Sequence, residues 1–129
     1  MIDKDLIRSY FDQLQIATRI DEDGDMIVVQ SADEDFPHDV IIYVMVANNR
    51  LTYTALTSRD FVPNGNIYEL ANEHNASKYL PVAVIRNGHI RMEFSFLLDE
   101  EVSKEYIVEN CIKMVLASIW QAFCDLYKK

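Results

Sequence analysis

The run LPVAVIRNGHIRMEFSFLL, residues 80–98, decides the fold. Leu80 to Ile85 and His89 to Leu98 are rich in apolar and β-prone residues, and Asn87-Gly88 lies between them. An Asn-Gly pair between two such strands is the strongest short-range hairpin signal, because both turn positions need positive φ. The pattern recurs upstream. Val40 to Ala47 is apolar throughout and reads as a central strand, Asn48-Asn49 suits a tight turn, and Leu51 to Thr57 alternates as a strand with one wet face. Ile16 to Ile20 and Met26 to Gln30 are shorter strands on either side of Asp21-Glu22-Asp23-Gly24-Asp25, which reads as a third hairpin turn.

Helical periodicity frames these hairpins. Asp3 can cap a first helix, with Ile2 packing on Ile7 as a hydrophobic staple, and Leu6, Ile7, Tyr10, Phe11 and Leu14 form its apolar stripe. Asn66 can cap a short second helix with Ile67, Leu70, Ala71 and His74 on one side and Asn75 as its stop. The last helix opens at Ser103 and runs to about Leu126, with a stripe wider than one sheet face requires. Either that helix is deeply sandwiched or its spare edge meets another chain. The predicted order is α-β-β-β-β-α-β-β-α in one domain over residues 1–129, an α+β fold with a mainly antiparallel sheet and helices packed on one face.

Composition narrows the function. The chain has 129 residues, 12 Lys and Arg against 21 Asp and Glu, and a net charge of −9. A polyanion repels phosphate backbones, so no nucleic-acid partner is expected. Residues 1–39 hold eleven acids against Lys4, Arg8 and Arg19, a net of −8, which leaves −1 for the other ninety. The longest unbroken apolar run, Val40 to Ala47, is far short of the ~20 residues of a membrane span. The N-terminus lacks a basic start and apolar stretch, so a cytoplasmic protein with no membrane partner is expected. Cys111 and Cys124 are thirteen residues apart on one helix, ~20 Å by the helical rise, which is too far for a disulfide.

Catalytic patterns are missing. Gly24, Gly65 and Gly88 are too dispersed for a phosphate loop or dinucleotide fingerprint, and no Ser lies in a nucleophile elbow. His38, His74 and His89 are isolated, so no metal site is expected. In the acidic pentad Gly24 falls at the fourth position where a calcium loop needs Gly at the sixth, and a turn is the better reading. The cluster Asp33, Glu34, Asp35, His38 and Asp39 reads as a solvated loop, and His74 as a buried or edge histidine. No enzyme activity and no cofactor are expected.

From residue 66 the text NIYELANEHNASKYLPVAVIRNGHIRMEFSFLLDEEVSKEYIVENCIKMVLASIWQAF resembles a YbjN-type domain. The likeness rests on a short helix containing Asn72 and Asn75, a hairpin turning at Asn87-Gly88, and a strand ending in Leu97-Leu98-Asp99. A helix after Glu100, Glu101 and Val102 completes it, and TRIDEDGDMIVV fits at the front. The resemblance implies the fold of the type III secretion chaperones, often dimeric, in the bacterial cytoplasm. Its members are described as sensory-transduction or stress regulators, a label that names no mechanism, and it carries over no catalytic residues.

Two functions are therefore expected to compete. In the first, the chain is a non-enzymatic, chaperone-like or regulatory protein-binding module. A partner segment lies in an apolar groove or along a sheet edge, with Val108, Ile112, Val115 and Ile119 lining the groove or forming a homodimer surface. Asp21, Glu22, Asp23, Asp25, Asp33, Glu34 and Asp35 would steer basic partner residues. In the second, the chain is a small-molecule sensor, with a pocket between sheet and last helix anchored by Tyr43, Tyr53 or His74.

Overall fold

A computed structural model describes residues 2–57, 61, 63–78, 80–99 and 101–128. Helix α1 (Lys4–Gln13) precedes strands β1 (Arg19–Ile20), β2 (Met26–Gln30), β3 (Val40–Ala47) and β4 (Arg50–Thr57). Helix α2 (Ile67–Ser77), strands β5 (Val82–Arg86) and β6 (His89–Leu97), and the long helix α3 (Lys104–Lys128) follow. The six strands form one antiparallel sheet in the spatial order β1-β2-β3-β4-β6-β5. The class is α+β, and the chain order of elements agrees with the expected one.

The turns form for the reasons their residues suggest. Asn48 and Asn49 have φ of 54° and 60°, and Asn87 and Gly88 have 52° and 78°. Positive φ at both central residues matches the right-handed twist of the flanking strands. The caps also hold: Asp3 accepts from the Leu6 amide at 2.9 Å, Asn66 from the Tyr68 amide at 2.9 Å, and Ser103 from the Tyr106 amide at 3.1 Å.

Strand alternation divides the sheet into two unlike faces. Val44 pairs with Tyr53 and Tyr53 with Phe94, and Ile42 pairs with Ala55 and Ala55 with Met92; all of these are buried in the core. Ile7 and Phe11 of α1 and Ile107, Ile112, Val115, Ile119 and Phe123 of α3 pack into the same cluster. The opposite face carries Val29, Ile41, Tyr43 and Met45, which stay half-buried or exposed.

Four local features differ from the expectation. Strand β1 is two residues, because Ile16 to Thr18 stay outside the ladder after Gln15 turns the chain at φ 60°. Strand β5 starts at Val82 and extends to Arg86. Helix α2 does not stop at Asn75 but continues to Ser77. Asn75 instead docks on β5, its amide donating to the Ala83 carbonyl at 2.9 Å and its carbonyl accepting from the Ala83 amide at 2.7 Å. Ile107–Lys113 of α3 is π-helical.

By length and composition α3 could cross a membrane, but half of its most apolar window is buried within this fold. Its width is explained by what surrounds it. The sheet lies under one side, and Phe36 of the loop between β2 and β3 lies against Trp120, Phe123 and Tyr127.

Candidate functional site

The last-helix residues expected to form a groove are not accessible to a partner. Ile112, Val115 and Ile119 are fully buried, and Val108 is half-buried against the same cluster. Of the two alternatives left open, α3 is the deeply sandwiched one, because Phe36 and the sheet cover the sides that a single sheet face would have left free.

Tyr43 and Tyr53 cannot line one pocket. Tyr43 pairs with Thr54 on the uncovered face, while Tyr53 pairs with Val44 and lies fully buried on the core face. The Tyr53 hydroxyl donates to the Cys111 carbonyl in the π-helical turn. Burial, with a smaller contribution from Cys111, pushes its pKa far above the ordinary phenol value. The Cys111 thiol is pushed up to about 11 by burial, and Cys124 is raised by burial and then by Asp33 and Asp35. Neither thiol has the lowered pKa of a nucleophile.

His74 is buried at the C-terminal end of α2, its Nε2 2.7 Å from the Pro81 carbonyl oxygen, to which that nitrogen donates. Beside it, the ends of α2 and α3 leave a cavity of about 320 Å³ that includes Lys78 and Asp125. His74 is thus an edge histidine holding α2 to the start of β5.

The acidic residues are organised by their own backbone. Asp21 Oδ1 accepts from the amides of Asp23 at 3.0 Å and Asp25 at 2.8 Å, and Lys4 Nζ donates to the Gly24 carbonyl at 2.9 Å. The carboxylates of Asp21, Asp23 and Asp25 lie within 4.8 Å of one another. Asp33 Oδ1 accepts from the amides of Asp35 and Phe36, and Asp39 Oδ1 from that of Ala32. Antiparallel pairing of Met26 with Val44 and Gln30 with Val40 sets these two acidic turns at opposite ends of the β2–β3 pair. Glu22 and Glu34 are exposed beside them.

Between those ends, the uncovered face presents Val29, 41% exposed, Ile41, Tyr43 and Met45, 44% exposed. Adjacent exposed apolar residues on one sheet face mark an interaction surface more often than isolated ones do. Sequence reasoning missed this patch because a fully apolar run such as Val40–Ala47 does not reveal which face is covered. A cavity of about 430 Å³ lies at the other end of this sheet, between the end of β4 and the β5–β6 turn.

Residues 3–119 match the model of the YbjN family, described as "Putative bacterial sensory transduction regulator". No curated protein and no solved structure is matched. The matched span runs from the Asp3 cap of α1, through all six strands, to Ile119 in the core of α3, so it takes in the whole sheet, α1, α2 and the greater part of α3. On that span, the chain belongs to the YbjN family.

Proposed function

We propose that this protein is a non-enzymatic regulatory module of the bacterial cytoplasm that binds a protein segment on the uncovered face of its sheet. The observation that carries this reading is the patch of Val29, Ile41, Tyr43 and Met45, set between the acidic turns at 21–25 and 33–39. An extended segment with an apolar centre and basic residues at its ends is complementary to that arrangement. The face fits better than an edge. Strand β1 offers only two residues for pairing, and on β5 the Asn75 amide already occupies both Ala83 backbone groups. A second copy of the chain is a poorer occupant, since each copy carries −9. The family's description as regulators supports a binding role. The likeness of such domains to type III secretion chaperones favours a polypeptide as the ligand.

The test is capture from native bacterial cytosol with the tagged chain, followed by light scattering of the eluted complex. Tyr43→Glu with Met45→Glu should remove a stoichiometric partner and leave the near-ultraviolet circular dichroism unchanged. Undiminished capture by that variant would overturn the assignment of the face. A homodimer with nothing bound would overturn the choice of occupant.

A further inference from the structure

The sheet splits at one corner. Strand β4 pairs with β3 as far as Thr57, and β5 pairs with β6 as far as the Arg86–His89 pair at the turn. The ladder between β4 and β6, however, ends at Ala55 with Met92. Beyond that point the two hairpins diverge, and the cavity of about 430 Å³ is the wedge between them. Such volumes hold small ligands.

Its chemistry is unlike the rest of the molecule. By strand alternation Arg86, His89 and Arg91 fall on the uncovered face with Leu56, while Ile90 closes the wedge from the core side. Among the described residues no Asp or Glu lines the cavity, although the chain has 21 of them, and residues 82–92 contain none. Neither arginine has an ion-pair partner among the described residues. Two guanidinium groups without an ion-pair partner among the described residues, at one concave corner of a polyanion, concentrate positive potential where the remaining surface repels anions, and the His89 imidazole adds a hydrogen-bonding group beside them. Guanidinium forks suit oxyanions, and two of them match the charge of about −1.5 to −2 on a phosphate monoester at neutral pH.

We propose that this wedge is a binding site for a phosphorylated small molecule, with Arg86, His89 and Arg91 on the phosphate and Leu56 and Ile90 against its apolar part. The wedge opens on the same uncovered face as the patch on β2 and β3, at the β4–β6 corner, where Leu56 is the register partner of Ile41, so it gives the regulatory module a second input beside the first. It does not depend on the protein-binding reading.

The test is a titration of the full ¹⁵N-labelled chain at constant ionic strength with phenyl phosphate, inorganic phosphate and benzoate. Phenyl phosphate should give saturable shifts confined to residues 56, 57 and 86–91 and bind more tightly than either of the other two. Arg86→Gln with Arg91→Gln should weaken it about tenfold or more, with the remaining spectrum unchanged. Arg86→Gln alone, at an exposed position, should weaken it in the same direction and guards against misfolding of the double variant. Benzoate binding as tightly would make this a carboxylate site and overturn the proposal. So would inorganic phosphate binding as tightly, non-saturating shifts spread over the surface, or undiminished affinity in the double variant.

Discussion

Tyr53, at the centre of the sheet, donates its hydroxyl to the backbone carbonyl of Cys111 in the π-helical turn of α3. A tyrosine on a core strand has to find an acceptor for its hydroxyl, and the long helix supplies one from its own backbone. Gln30 repeats the device, its amide donating to the Leu116 carbonyl at 2.9 Å. These bonds fix where α3 sits along the sheet. Apolar packing alone is not directional.

Tyr53→Phe removes the donor and leaves the ring in place. The buried carbonyl loses a partner, and the fold should lose about 1–3 kcal/mol. Urea denaturation reads this directly as a lower midpoint with an unchanged slope. An unchanged midpoint would mean that the Cys111 carbonyl needs no side-chain donor.

Phe36 holds the acidic loop to the core. It is fully buried, edge-on to Trp120 with ring centroids 5.7 Å apart, and also meets Phe61 at 5.0 Å. Phe36→Ala should cost about 3–5 kcal/mol, as large-to-small core changes do. Trp120 is the one tryptophan of the chain, so loss of this contact should shift its emission to the red. An unshifted spectrum would place the loop elsewhere.

Both pKa shifts near the Tyr53 contact act in the same direction. In the folded protein the Cys111 thiol keeps its proton up to about 11, whereas an ordinary thiol loses it near 9.0. Between those values the unfolded chain binds fewer protons at this thiol, so its contribution to stability is level below pH 9 and falls as the pH rises through this window. Tyr53, also raised, extends the loss to higher pH. Thermal unfolding from pH 8 to 11 should show the decline, and Cys111→Ala should make it shallower. A decline of equal steepness in that variant would assign it to other groups.

The buried stripe of α3 and the uncovered sheet face respond unequally to substitution. Ile112→Ala should cost about 2–5 kcal/mol because the side chain is fully buried. Met45→Glu, on the uncovered face, should stay within about 0.5 kcal/mol of the wild type. Denaturation midpoints of the two variants compare them side by side. Equal losses would show that Met45 is covered.

The hairpins, the three caps and the α+β class were legible because each is set by local chemistry: Asn-Gly and Asn-Asn turns, and Asp3, Asn66 and Ser103 as side-chain acceptors. What depended on distant partners was not. Phe36 sits among acids and Pro37, so its neighbourhood reads as a solvated loop, and only the fold brings it to Trp120 and Phe123. Asn75 reads as a helix stop, yet its amide is used eight residues away on Ala83. The stripe of Ile112, Val115 and Ile119 has the same composition whether it faces a partner or its own core. The uncovered sheet face and the basic wedge required the strand register, which periodicity does not contain.

The most direct test of the docking face places a photo-crosslinking residue at position 45 or at position 114 of the full chain in bacterial cells. Both positions are about equally exposed, Met45 at 44% on the sheet face and Met114 at 50% on the outer side of α3. Position 45 should form one discrete crosslink to a partner polypeptide, weaker at high salt because the acidic turns contribute to it, and position 114 should form none. A crosslink from position 114 with none from position 45, or none from either, would contradict the account.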